Sequence, residues 1–263
     1  MECPPIDAPA SVVPFLPTAE RTLELFGTNV HLALLPSRRA RSGHVQEGRP
    51  ALRRSPVARI LGEEGYWRTD SLVLTPNKFP FAINQRILWM ANPSREPDYT
   101  FWQAALAWVE ASDGTALLNN VGAAATIPRA HAHLIGEKMP FLPGLPERPL
   151  TTDLIDVPAG CELIRKDLPF CLIGVRGDAA SKATALMRLA DARLTATWNV
   201  IADQDAVWVV PRGKQTPAPF FDQAVGAAEF WGRWCYVERE PFEAATAADL
   251  EQALMIATAK NID

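Results

Sequence analysis

The chain reads as an α+β protein built from two similar halves, and three observations carry that expectation. Proline makes up 23 of 263 residues, roughly 9% against a usual ~5%, which favours turns and extended segments over a helical bundle. Apolar periodicity runs strands, helix, strands, and that order occurs twice, the pattern of an α+β architecture. Between the two occurrences Pro140, Pro143, Pro146 and Pro149 mark a linker. The expected units are an N-terminal extension over 1–35, a first half over 36–145 and a second half over 150–263. The similarity between the halves is one of pattern, without a residue-level repeat.

The elements follow in order. Residues 1 to about 18 are Pro-rich and extended, and 18–35 predict a short helix followed by a strand closed by Pro36. Residues 36–56 carry six Arg with Gly43, Gly48 and Pro50, which reads as a basic loop. Strands are predicted over 66–75 and 85–91, separated by the turn segment PNKFPF. Asp98 is placed to cap a helix over 99–112, where Phe101, Ala105, Trp108 and Val109 recur at helical spacing. A strand ending in Asn119-Asn120, a small-residue loop and the strand HAHLIG complete the first half. The second half predicts strands within 161–175, a helix over 179–195, a hairpin around Asp205, a strand over GRWCYVER and a helix over 246–258.

Composition excludes several classes. Forty-eight per cent hydrophobic residues fill a core, which a disordered chain lacks. Four cysteines show no CxxC pair and are too few for a disulfide scaffold, so a reducing compartment is expected. The first residues lack a basic n-region and an apolar h-region, and no run of ~18 apolar residues occurs; the expectation is a cytoplasmic protein without a membrane span. A net charge of −4 argues against a nucleic-acid partner. Twenty of the 26 cations are Arg, whose planar fork matches phosphate and carboxylate oxygens.

Two of the four histidines form His131-Ala132-His133. On a strand, positions i and i+2 face one side, so both imidazoles point into one space while Leu134 packs on the other face. Upstream lies Gly122-Ala123-Ala124-Ala125-Thr126, where small side chains let a ligand approach the backbone. Arg129 sits between these features. Such a pair suits nucleophilic chemistry on phosphorus or metal ligation, and an ordinary pair of strand histidines has the same spacing. No Cys or acidic cluster nearby completes a metal site, so no cofactor is expected, with a structural metal elsewhere left open. His31 and His44 are isolated and read as ordinary residues. The Trp residues read as core, with Trp198, Trp208, Trp231 and Trp234 open to a base-stacking role.

Asn119-Asn120-Val121-Gly122-Ala123-Ala124-Ala125-Thr126-Ile127 followed by His131-Ala132-His133 resembles the active-site stretch of GDP-L-galactose phosphorylases. That family belongs to the histidine-triad superfamily, with diadenosine tetraphosphate phosphorylases and galactose-1-phosphate uridylyltransferases. Gln46-Glu47-Gly48-Arg49, Pro76-Asn77-Lys78-Phe79-Pro80, Val209-Val210-Pro211-Arg212 and Glu229-Phe230-Trp231-Gly232 match in the same order, so the resemblance spans roughly 40–245. It implies a histidine-triad fold and a nucleotidyltransferase or phosphorylase acting on a nucleoside diphosphate sugar or dinucleoside polyphosphate. His133 matches the nucleophile that forms a nucleotidyl-histidine, and His131 the first histidine of the motif. Asn119, Asn120, Gly122 and Thr126 would line the phosphate pocket, with Arg49, Arg54, Lys78 and Arg129 neutralising phosphate oxygens. A phosphate or sugar phosphate would be the acceptor, and the superfamily often dimerises, so a homodimer is allowed.

Three departures stand against the pattern. Ile135 replaces the usual His or Gln two positions after the nucleophile. Two extra residues separate Thr126 from His131. Gln85-Arg86 stands where relatives usually carry Gly-His. These favour, as alternatives, a repurposed enzyme that hydrolyses or transfers an unusual nucleotide or phosphorylated metabolite, or a non-catalytic nucleotide-binding protein.

Overall fold

The computed structural model describes residues 3–7, 9, 11–40 and 57–259. After a hairpin of β1 (Ala19–Leu25) and β2 (Thr28–Leu34) come α1 (Val57–Glu64), β3 (Trp67–Arg68), β4 (Leu72–Pro76) and β5 (Arg86–Met90). Then follow α2 (Tyr99–Ser112), β6 (Thr115–Asn119), β7 (His131–Ile135), α3 (Phe141–Gly144) and β8 (Glu147–Pro149). The second half holds β9 (Glu162–Lys166), β10 (Ile173–Arg176), α4 (Ala179–Ala192), β11 (Trp198–Ala202) and β12 (Val207–Pro211). The chain closes with α5 (Ala227–Trp231), β13 (Arg233–Tyr236), α6 (Arg239–Ala244) and α7 (Ala247–Ala257).

Ten strands form one antiparallel sheet in the order β3-β4-β5-β7-β6-β11-β12-β10-β9-β8. The order is mirrored about its middle: β4-β5-β7-β6 on one side answers β9-β10-β12-β11 on the other. Each set has two strands, a 14-residue helix and two strands. Asp98 and Asp178 cap the two helices by accepting from the amides of Phe101 and Ser181, satisfying amides that the helix itself leaves unpaired. Both helices end in a left-handed residue, Asp113 and Arg193. The third strands of the sets, β6 and β11, pair across the centre with Asn119 opposite Asn199.

Alternation along the strands sorts the core into two layers. Even positions of β6 and β7, such as Ala116, Leu118, Ala132 and Leu134, pack with α2 and α4 on one face. Odd positions, Leu117 and Ile135 among them, join the cluster that includes Leu32, Phe141, Trp208, Phe230, Trp234 and Leu254 on the other. There a three-stranded sheet β1-β2-β13 covers the second layer, with β13 parallel to β2. A small cluster of Val57, Leu61, Val73 and Trp89 lies under α1.

The short helix expected at the start of 18–35 is the strand β1. Its inward residues alternate with outward Glu20, Thr22 and Glu24, and all seven of its residues pair with β2. Helix-forming Glu, Leu and Arg are overruled here by the hairpin that Phe26 and Gly27 close with positive φ. The Pro-rich segment read as linker folds into α3 and β8, the latter paired with β9. The strand over GRWCYVER, β13, lies in the small sheet. Trp198, Trp208, Trp231 and Trp234 are all buried, which fits core packing, and no disulfide joins the four cysteines.

Gly174 shows how closely the second half is packed. A Cβ there would lie 2.5 Å from Cζ3 of Trp208 and 2.6 Å from Cγ1 of Ile164. Gly174→Ala is expected to destabilise the fold by about 1–3 kcal/mol through overpacking; an unchanged urea midpoint would contradict this account of the Trp208 layer.

Candidate functional site

The His131-Ala132-His133 strand lies inside the sheet, flanked by β5 and β6. Trp89 stands opposite His131, and Ile87 and Leu117 opposite His133. Ala132 and Leu134 anchor the strand to the helical layer, which turns both imidazoles to the other face. Their ring centroids are 5.5 Å apart. His131 is buried and stacks on Trp89 at 4.6 Å, while His133 is half-buried and meets the Phe81 ring edge-on at 5.3 Å. Trp89 is itself held by an Nε1–H donated to Thr75 Oγ1 at 2.9 Å.

The two rings are hydrogen-bonded in opposite senses. His131 Nδ1 lies 2.7 Å from the carbonyl oxygen of Arg129, which can only accept. His133 Nδ1 lies 2.8 Å from Gln85 Nε2. The Gln85 side chain is completely buried, and its Oε1 accepts from the Phe81 amide at 2.8 Å. Gln85, Ile87 and Trp89 share the face of the two histidines, whereas Arg86 points away. Arg86 donates to the carbonyls of Pro5 and Ile6 and lies over the Trp108 ring, so adjacent residues serve two different layers.

The small-residue loop joins the halves. Gly122 has a φ of +88°, and a Cβ there would lie 2.7 Å from Cγ2 of Thr197, so only glycine fits without strain. The Ala124 amide donates to Gln215 Oε1, and the Ala123 carbonyl accepts from Asn199 Nδ2. Asn119 Oδ1 accepts from Asn199 Nδ2 and from the Ala227 amide. The Asn120 side-chain amide donates to Glu96. Thr126 is half-buried, and its neighbour Ile127 packs on the Trp89 cluster.

The cations fall in different places. Arg129 donates Nε to the Met90 carbonyl at 2.8 Å and Nη2 to the Ala91 carbonyl, so much of its fork holds the end of β5. Lys78 is exposed and pairs with Glu64 at 2.7 Å. Arg49, Arg54 and His44 lie outside the described residues. The structure thus brings His131, His133 and Arg129 together and places Asn119 at the end of β6 and Asn120 and Gly122 on the adjoining loop. Among the described residues no group of three His, Cys, Asp or Glu is arranged to hold a metal ion, and no helix is long and apolar enough to cross a membrane.

Beside Asn119 lies a buried polar layer. Arg212 donates to Asn199 Oδ1 at 2.5 Å and to the carbonyls of Val225, Ala257 and Lys214. Loss of solvation pushes its guanidinium down to about 9, against a smaller opposing pull from Glu229, so it keeps its charge at neutral pH. The Glu229 carboxyl accepts from the Gly226 amide. Enclosure of that carboxyl lifts it to about 7, against the Gly226 hydrogen bond and the charges of Arg38 and Arg212.

With this geometry in hand, solved structures give a match where sequences do not. No protein-family model and no curated protein sequence matches the chain. Yeast Ap4A phosphorylase Apa2 in complex with Ap4A superposes with a TM-score of 0.69 at 15% identity, over 91% of this chain and 89% of that one. The same enzyme in complex with AMP gives 0.70 at 16%, over 92% and 89%, and a further structure of it gives 0.66 at 14%, over 91% and 86%. The chain has the fold of this phosphorylase. The α+β expectation and the resemblance agree with it at the level of fold.

Within this fold, sequence reasoning passed over Gln85, Phe81, Trp89, Asn199 and Glu229 as site residues. Gln85 had a signal, its departure from Gly-His. Trp89 had one in its period-2 spacing from Ile87 and Gln85. Glu229 opens the matched segment Glu229-Phe230-Trp231-Gly232, whereas Asn199, also from the second half, lacked any local cue.

Glu229 generates a pH test. Its folded value of about 7 stands above the unconstrained 4.5, so the native state binds this proton more tightly than the unfolded chain. The contribution is full below about 4.5 and is lost as pH rises through about 7, by up to roughly 3 kcal/mol. Urea unfolding across that window should show stability falling, and Glu229→Gln should flatten the slope; an equal slope in the variant would refute the assignment.

Proposed function

We propose that the chain processes a nucleoside polyphosphate or nucleotide sugar at the His131/His133 face, passing a nucleotidyl group to a phosphate or sugar-phosphate acceptor. The observation that carries this reading is the pair of imidazoles on one strand face, beside a backbone-lined loop, in a fold whose solved neighbours bind Ap4A and AMP. Two ring nitrogens and the loop backbone offer polar groups of the kind that position and stabilise a phosphoryl centre. Asn120, Gly122, Thr126 and Arg129 are the residues proposed to border the phosphates, with Asn119 holding the loop that presents them. Arg49, Arg54 and Lys78 are proposed as outer cations. A homodimer is a proposal of the same standing.

A second reading, a site adapted to hydrolysis or to an unusual phosphorylated metabolite, is favoured by the apolar, fully buried Ile135. That side chain packs in the core where the family pattern places a polar donor.

The test is a thermal-shift panel of Ap4A, AMP and GDP-, UDP- and ADP-sugars, followed by product analysis with and without inorganic phosphate. A true substrate raises the melting temperature by mass action. His133→Ala is expected to lower turnover by at least about 10²-fold, the scale of losing one positioned group. Product formed only with phosphate identifies phosphorolysis; product formed in water alone identifies hydrolysis. No shift and no product across the panel would sink the reading.

A further inference from the structure

The proton on His133 can be located from its neighbours. A backbone amide can only donate, so the Gln85 atom 2.8 Å from Phe81 N is the oxygen. The other end of that amide, 2.8 Å from His133 Nδ1, is therefore the NH2 group, a donor. His133 Nδ1 must accept, and the neutral ring carries its proton on Nε2. His131 is the reverse: its Nδ1 faces a carbonyl, so Nδ1 holds the proton and Nε2 holds the lone pair. Burial of the whole Gln85 side chain makes a turned amide costly, because it would set two donors against each other at Phe81 and leave that buried N–H without an acceptor.

We propose that Gln85 is a positioning residue that holds His133 in its Nε2–H form, making it a hydrogen-bond donor to phosphate rather than a nucleophile. The consequence for catalysis rests on the nucleotide-transfer reading; the tautomer does not. An Nε2 that carries a proton has no lone pair in the ring plane with which to attack phosphorus. His131 is buried and stacked on Trp89, which closes the other ring to attack, so transfer goes by direct displacement. An oxygen of the acceptor phosphate forms the new bond to the α-phosphorus. The bond from that phosphorus to the bridging oxygen breaks, and its electron pair leaves with the departing phosphate. His133 keeps its proton throughout and hydrogen-bonds to a phosphoryl oxygen.

The direct test is a two-bond proton–nitrogen correlation spectrum of full-length protein labelled with 15N-histidine near neutral pH, with His133→Ala to assign the ring. The expected signature is opposite tautomers on neighbouring strand residues: unprotonated Nδ1 and protonated Nε2 on His133, the converse on His131. A protonated Nδ1 on His133 would overturn the proposal. Gln85→Glu gives the second arm, because its carboxylate accepts from both Phe81 N–H and the ring. His133 should then shift to an Nδ1-protonated form; an unshifted ring would remove Gln85 from the role. If that variant does not fold, Gln85→Met serves, since loss of the donor should release a mixture of tautomers, and a ring fixed as before would overturn the role. The third arm is intact-mass analysis during turnover of Ap4A with inorganic phosphate. Turnover without a nucleotidyl adduct is expected, and an adduct on either histidine would overturn direct displacement. Absence of turnover with the stated tautomers would count against the nucleotide reading alone and leave the assignment of Gln85 standing.

Discussion

The pairing of β6 with β11 is the contact on which the rest of the molecule depends. It joins two five-stranded sets into one sheet, and it sets Asn119 opposite Asn199 at the seam. Two carboxamides at a buried seam must find partners, and they find them in the elements that frame the site. Asn199 reaches the Ala123 carbonyl of the small-residue loop and the Arg212 fork, and Asn119 takes the Ala227 amide at the start of α5. Arg212 in turn draws in the end of α7 and the segment before α5. A loop of small residues would otherwise have little to fix it, and here it is pinned from the half of the chain that carries no histidine.

The mirrored sheet also explains why the chemistry lies on one side. β12 is the counterpart of β7, yet the residues it turns to the same layer are Trp208 and Val210. They fill the core where β7 carries imidazoles. One half keeps the polar strand, and the other supplies packing and the polar layer behind it. A single site served by two halves needs both present in fixed register, which a continuous antiparallel sheet provides.

Several features are legible in the order of residues. The HxH strand, the capped helix after Asp98, the αL-prone loop at Gly122 and the doubled order of elements all follow from short-range rules: side-chain alternation, capping and the conformational freedom of glycine. The helix expected near Glu20 failed because local propensity lost to cross-strand pairing that those rules do not contain. The role expected for Arg129 as a phosphate donor meets a fork already largely engaged by the carbonyls of Met90 and Ala91, and such an engagement has no trace in sequence.

By itself, then, the sequence determined that two imidazoles share one face and that small residues precede them, since both depend only on neighbours in the chain. Which nitrogen of each imidazole holds its proton was decided by tertiary structure. The deciding partners are the Gln85 amide, 48 positions from His133, and the Phe81 N–H that orients it. Hydrogen-bond direction depends on which donor faces which acceptor in space, and only the packed turn before β5 brings those groups together.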